Sequence, residues 1–255
     1  MTLPRVIVTR PRAQATPWVE QLRAAGLDAV ALPLIDIAAV ADTAPLQTAW
    51  HGLAHSALVM FVSANAVQHF FAARPQDAPW PAGTLAGSTG PGTSAALRDA
   101  GLASACVAEP APGMPFETES LWDVLRQRDW RGRRVLIVRG EGGRDWLSEQ
   151  LAAAGASVTF LAAYRRVAPR LDAAARLMLA DALARPLEHV WHFSSSEAVG
   201  HLADLAPGAD WSAAHALASH PRIVQAAQRA GFGHVALVGA QVPAVVVAVS
   251  RDPGR

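Results

Sequence analysis

Residues 5–33, "RVIVTRPRAQATPWVEQLRAAGLDAVALP", align without a gap on residues 134–162, "RVLIVRGEGGRDWLSEQLAAAGASVTFLA", at a constant shift of 129. Each copy opens on a β-branched run, "RVIVT" or "RVLIV", which reads as a strand. Each then passes a polar loop and an alanine-rich amphipathic stretch that stops at Gly26 or Gly155. In the first copy Thr16 is the expected N-cap, Pro17 the first helical residue and Gly26 the C-terminal stop. "DAVALPLI" (28–35) then reads as the next strand. Strand–helix–strand units of this size predict a parallel sheet covered on both faces.

Two further pairs repeat. "FVSANAVQH" (61–69) matches "FSSSEAVGH" (193–201) at a shift of 132, and "GPGTSAALRDAGL" (90–102) matches "HPRIVQAAQRAGF" (220–232) at 130. Alanine-rich helices resemble one another in any protein, but here the loops match as well. The fold class is therefore α/β, with two related parallel-sheet domains. The linkers near "DIAAVADTAP" (36–45) and "RRVAPRLD" (165–172) suggest a discontinuous domain of residues 1–37 plus 168–255. Residues 38–167, including the connecting strands, would then be inserted into it. A tandem cut near 130 fits the repeat equally well.

The composition narrows the function. A net charge of +1 argues against a general nucleic-acid or membrane-surface binder. All 22 basic residues are arginine, so neither a Schiff base nor a Walker-type lysine is available. A single cysteine, Cys106, excludes an internal disulfide and suits a reducing cytosol. Arginines at 5, 10 and 12 would interrupt the apolar core of a signal peptide, and no apolar run approaches a bilayer span. A soluble, cytoplasmic protein is expected.

In open parallel sheets, ligands bind beyond the C-terminal ends of the strands. Six loops qualify: "TRPRAQA", "VSANAV", "GSTGPGTSA", "RGEGGRD", "SSSEAV" and "SHPRIV". Each precedes a predicted helix, so free N–H groups and the positive dipole end face an anion. Arg10, Arg12, Arg139, Arg144 and Arg222 add fork-shaped donors. Taken singly, Ser63 and Ser195 read as simple N-caps before they read as catalytic groups, and Ser194-x-x-Glu197 fits a capping box.

Other chemistries find little support. Gly90-x-Gly92-x-x-Ala95, with Glu109 beyond it, resembles a dinucleotide fingerprint, but its repeat partner "HPRIVQ" lacks every glycine. His51 and His55 lie one helical turn apart without a third ligand, and no G-x-S-x-G elbow is present. No metal and no cofactor are expected. Tyr164, the sole tyrosine, stands in "FLAAYRRVAP" (160–169), where the shift of 129 places Ile35 in the first copy. A strand needing only bulk could have kept isoleucine in both.

In this order, "VIVTRP", "FVSANAV", "GPGTSAAL…G", "VLIVRGEGGRDWLSEQLAAAGASVTFLAAYRR", "FSSSEAV" and "HPRIVQAAQRAGF" resemble the uroporphyrinogen-III synthase family over nearly the whole chain. The resemblance implies two α/β domains, one inserted into the other and joined by a two-stranded connection. It implies a cofactor-free lyase that binds hydroxymethylbilane, a linear tetrapyrrole with eight carboxylates, in the cleft between domains. That lyase closes it to uroporphyrinogen III through a spiro intermediate, with loss of water and inversion of ring D. Tyr164 matches the family tyrosine thought to serve the departing hydroxyl, and an ordinary phenol is protonated at neutral pH.

Loops and resemblance together give the substrate-facing candidates Arg10, Ser63, Ala64, Thr93, Arg139, Gly140, Ser195, Ser196, Ser219 and Arg222. Ile223 departs from the family by replacing the threonine often found at the second helix start, leaving Ser219 or Arg222 to substitute. A monomer is expected, and the resemblance leaves room for a transient hand-off from hydroxymethylbilane synthase. The alternatives are a non-catalytic two-domain module closing on a polyanionic small molecule, and a dinucleotide oxidoreductase resting on one weak motif.

Overall fold

The structure, a computed structural model, describes residues 3–76, 78–115, 117–141 and 146–251. The chain begins β1 (Arg5–Val8), α1 (Arg12–Ala24), β2 (Ala29–Ala31), β3 (Asp36–Ala39) and α2 (Ala44–His51). It continues β4 (Ser56–Phe61), α3 (Ala64–Ala72), β5 (Leu85–Ser88), α4 (Pro91–Asp99), β6 (Val107–Ala108) and α5 (Thr118–Leu125). Next come β7 (Arg134–Gly140), α6 (Trp146–Ala153), β8 (Ser157–Val167), α7 (Ala173–Ala184), β9 (His189–Phe193) and α8 (Ser196–Leu205). It closes with β10 (His215–Ala218), α9 (Pro221–Arg229), β11 (His234–Leu237) and α10 (Val242–Arg251).

Two compact units result: Met1–Asp36 with Val167–Arg255, and Ile37–Arg166. The chain crosses from one to the other at the start of β3 and the end of β8, which are neighbours in one sheet. The first unit has five parallel strands in the order β2-β1-β9-β10-β11. The second has six in the order β3-β8-β7-β4-β5-β6, parallel from β8 to β6.

The sequence repeat explains both orders. The first copy supplies β1, β2, β4, β5 and β6; the second supplies β7 to β11. Each sheet takes its first two strands from one copy and its last three from the other. Counted by position within the copies, both run 2-1-3-4-5, a doubly wound order. The glycines that stop the helices repeat with them: Gly26 and Gly155 have φ of 86° and 91°, Gly101 and Gly231 of 93° and 97°. A Cβ is strained in that left-handed region, so glycine ends a helix there at low cost.

Both faces of each sheet are apolar. Along β4, Val59 and Phe61 pack with Trp50, Phe70 and Leu97, whereas Leu58 and Met60 pack with Leu121, Trp130 and Leu151. In the first unit, Val6 and Val8 meet Val19, Leu22 and Val245. Trp191, Phe193, Trp211 and Phe232 form an aromatic cluster, with Trp211 stacked on Phe232 at 4.9 Å and edge-on to Trp191 at 5.6 Å. Each fully buried large apolar side chain contributes roughly 1.5–3 kcal/mol.

Three local expectations change. Helix α1 starts five residues before Pro17, because the Pro11 carbonyl accepts from the N–H groups of Gln14 and Ala15. Thr16 is therefore no cap; its hydroxyl bonds back to the Arg12 carbonyl at 3.3 Å. The carbonyl that Pro17 cannot serve belongs to exposed Ala13, where solvent can take the bond. The strand expected over 28–35 is cut to Ala29–Ala31, since Pro33 removes a donor, although Leu32 and Leu34 still donate to Val8 and Thr9. His51 ends α2 while His55 ends a separate 3-10 turn, so the two do not share a helix face. Among the described residues, no helix is long and apolar enough to cross a membrane.

Candidate active site

The six strand-end loops fall three to a unit. After β1, β9 and β10 the loops begin at residues 9, 194 and 219; after β4, β5 and β7 they begin at 62, 89 and 141. Strand order reverses between β7 and β4 in one sheet and between β1 and β9 in the other, which is where a doubly wound sheet opens a crevice. Arg144 lies outside the described residues.

In the unit of residues 37–166, the reversal brings Ser63, Gly140 and Tyr164 together. Ser63 follows β4 and caps α3, its Oγ accepting the Ala66 N–H at 3.2 Å. The same Oγ lies 3.2 Å from the Tyr164 hydroxyl, and either can donate. Tyr164 reaches this place through an irregularity in β8. Arg139 pairs with Ala162 but Gly140 with Tyr164, so β8 carries one residue more than β7 at that point. The extra residue breaks the period-2 alternation and buries Ala163 and Tyr164 consecutively, at 1% and 3% exposure.

The Tyr164 ring stacks near His69 of α3, with centroids 5.9 Å apart. Partial burial lowers the His69 pKa below its ordinary value. A cavity of about 370 Å³ opens beside the phenol. Its apolar lining comes from Met60, Val62, Ile137, Trp146 and Leu147; Arg139, Arg166, Thr118, Glu119 and Ser148 supply the polar groups. The Arg139 guanidinium lies 4.0 Å above the Phe160 ring. Ala64 is the half-buried first residue of α3.

Thr93, near the start of α4, is 6% exposed, and its repeat partner Ile223 is 5% exposed. Both positions turn inward. Isoleucine in the second copy therefore fits the place, whatever polar role the first copy's threonine has. Glu109, the residue a dinucleotide ribose would need, is bound by Arg98 at 2.5 Å.

The other unit carries an equivalent rim. Ser195 caps α8 by accepting the Glu197 N–H at 3.2 Å, and Ser196 is its exposed first residue. The cap is thus Ser195 rather than Ser194, which places Glu197 at the second helical position and out of capping-box register. Ser219 is half-buried and donates its N–H to Phe193 at 3.2 Å. His220 Nδ1 accepts the Arg222 N–H to cap α9, and the Arg222 side chain is exposed. The Arg10 guanidinium sits 4.1 Å above the Trp18 ring, and Arg12 is exposed. Burial lowers the Arg10 pKa, and its Nε has no partner.

Beneath Trp18, stacked on it at 4.7 Å, lies the fully buried His192 ring with both nitrogens unpaired. Burial first, then the Arg10 charge, lower its pKa to about 4. Sequence reasoning gave His69 and His192 no role. The motif pair "AVQH" and "AVGH" marked His69, but nothing local marked His192. A larger cavity of about 530 Å³ runs along β10 and β11, from His189, His215 and His234 at the strand starts to Leu237 and Val238. None of the residues of the six strand-end loops lines it, so it is not the candidate.

Comparison with known proteins gives one answer. The family described as uroporphyrinogen-III synthase HemD matches residues 16–240. The uroporphyrinogen-III synthase of Salmonella typhimurium is 32% identical over 177 residues, covering 68% of this chain and 69% of that protein. That of Chlorobaculum parvum is 30% identical over 183 residues, covering 69% and 70%. The fold agrees with the uroporphyrinogen-III synthetase crystal structure from Helicobacter pylori, at a TM-score of 0.56 and 15% identity over 97% of this chain and 99% of that one. A mutant uroporphyrinogen III synthase from Thermus thermophilus gives 0.54 and 18% over 97% and 98%. With two parallel sheets cut from one repeat and a family match that runs through both units, the chain belongs to the uroporphyrinogen-III synthase family.

Proposed function

We propose that this chain converts hydroxymethylbilane to uroporphyrinogen III, with Tyr164 as the donor to the departing hydroxyl. A hydroxyl leaves as water only when a proton or strong hydrogen bond reaches it, so the site needs one neutral acid close to the bond that breaks. The observation that carries the assignment is the 3.2 Å contact between Tyr164 and Ser63 at the point where strand order reverses. Ser63 already accepts the Ala66 N–H and keeps its own proton, which can be donated to the phenol oxygen as charge develops there.

Loss of the hydroxyl is followed by attack to form the spiro intermediate, inversion of ring D and closure. The uncatalysed substrate closes without inversion, so much of the catalysis lies in holding it. Arg139, the N–H groups at Ser63, Ala64 and Gly140, and the start of α4 at Thr93 offer donors to carboxylates in one unit. Arg10, Ser195, Ser196, Ser219 and Arg222 offer the same in the other. The two units serve as the enzyme's domains, residues 37–166 being the inserted one. A monomer working in the cytoplasm, receiving substrate by transient hand-off from hydroxymethylbilane synthase, completes the reading.

The test is the product isomer. Purified protein incubated with hydroxymethylbilane should yield the type III isomer. Folded protein that leaves the product as type I would overturn the proposal. Sedimentation, alone and with the synthase, checks the monomer and the hand-off.

A further inference from the structure

We infer that Gly140 is a positioning residue, whose missing side chain provides the berth for the Tyr164 ring. The inference rests on the reading of Tyr164 as the donor. A Cβ placed on Gly140 would lie 2.7 Å from Cε2, 2.8 Å from Cζ and 3.2 Å from the hydroxyl oxygen of Tyr164. Its three nearest atoms all belong to that one ring. Carbon atoms rest about 3.5–4.0 Å apart, so the ring would have to retreat by close to 1 Å. Its bond to Ser63, at 3.2 Å, is already beyond the usual length for two hydroxyls and could not follow.

The backbone does not account for this glycine. The described glycines with left-handed φ are Gly26, Gly101, Gly113, Gly132, Gly155, Gly208 and Gly231; Gly140 is not among them. Any residue could adopt its conformation, and the demand is for space. The internal repeat supplies a control. At the shift of 129, Gly140 corresponds to Pro11 and Tyr164 to Ile35. The copy without the phenol lacks the glycine too. Gly140 and Tyr164 are also cross-strand partners just past the register shift, so the added residue in β8 and the absent Cβ act at one spot.

The experiment is a cycle on Gly140→Ala and Tyr164→Phe, read with hydroxymethylbilane. Gly140→Ala should lower kcat by up to about 100-fold while KM stays near wild type, as expected for a misplaced catalytic group. In the Tyr164→Phe background it should cost no further turnover. Because the chain has one tyrosine, protein labelled with ¹³C at tyrosine Cζ gives a single resonance, and Gly140→Ala should move it. Should Gly140→Ala fold poorly, the Tyr164→Leu background removes the clash, and the Tm penalty of the alanine should vanish there.

An unchanged resonance, or an equal Tm penalty in both backgrounds, would overturn the berth. An unchanged kcat in Gly140→Ala, with Tyr164→Phe impaired, would overturn the positioning role while leaving the donor in place. Wild-type turnover in Tyr164→Phe would instead remove the donor; the resonance and Tm arms would still decide the berth.

Discussion

Ser63 holds two groups with one oxygen: its Oγ accepts the N–H of Ala66 and lies 3.2 Å from the hydroxyl of Tyr164. The residue that starts α3 thus also fixes the end of the only phenol. Removing either partner should separate the two roles. Tyr164→Phe keeps the ring's packing and should lower kcat by about 10²–10⁴-fold. Its stability should change by roughly 1 kcal/mol or less, the usual value of one hydroxyl bond. Ser63→Ala loses the cap as well and should cost about 1 kcal/mol of stability, with a smaller fall in kcat. Urea unfolding and steady-state rates on both variants check this; a larger kcat loss in Ser63→Ala would reverse the assignment.

Arg10 and Arg139 occupy corresponding strand ends, each over an aromatic ring: Trp18 in one unit, Phe160 in the other. Replacing either with alanine should raise KM by about tenfold, the effect of losing one charge-assisted bond, and leave kcat within a few-fold. KM unchanged in both variants would assign these arginines to packing alone.

His192 makes stability depend on pH. Its pKa is about 4 in the folded chain, against an ordinary value of 6.5. Below pH 6.5 the unfolded chain binds a proton that the native state refuses. Stability is therefore complete above that pH and falls as the pH drops toward 4, by about 3 kcal/mol in all. The equivalent position in the other unit, at the shift of 132, is Met60. His192→Met should flatten this dependence, as read from urea midpoints at pH 5 and 7.5. The same slope in wild type and variant would move its origin elsewhere.

Two glycines should respond in opposite directions. A Cβ on Gly233 would lie 1.8 Å from the Ser212 carbonyl oxygen, a backbone atom that cannot swing away. Gly233→Ala should cost roughly 3 kcal/mol or more. Gly200 lies exposed within α8 with open space around it, so Gly200→Ala should add about 0.5–1 kcal/mol. Thermal unfolding of the pair checks both signs.

The repeat made much of the fold legible, because a strand, a loop and a glycine stop recurring at one spacing constrain one another. The six strand-end loops followed from the same logic. What escaped was set by long-range pairing. Nothing local in "FLAAYRRVAP" announces that β8 gains a residue against β7, or that the ring it turns inward needs a bare Cα at Gly140. Thr16 and Pro17 misled because the Pro11 carbonyl can begin a helix without a side-chain cap. His192 gave no signal because a lone histidine in an apolar strand looks the same whether its nitrogens find partners or not.

The exchange of strands between the two copies also sets an order of events during synthesis. Ile37–Arg166 is continuous and can assemble its parallel strands as soon as β8 emerges. The first unit cannot. β1 pairs with β9, so β1, α1 and β2 wait until the whole intervening unit has been made. Their apolar face, Val6, Val8, Val19 and Leu22, stays uncovered by the later strands for that interval. The segment from β1 to β2 thus carries an apolar face that needs protection until β9 has emerged.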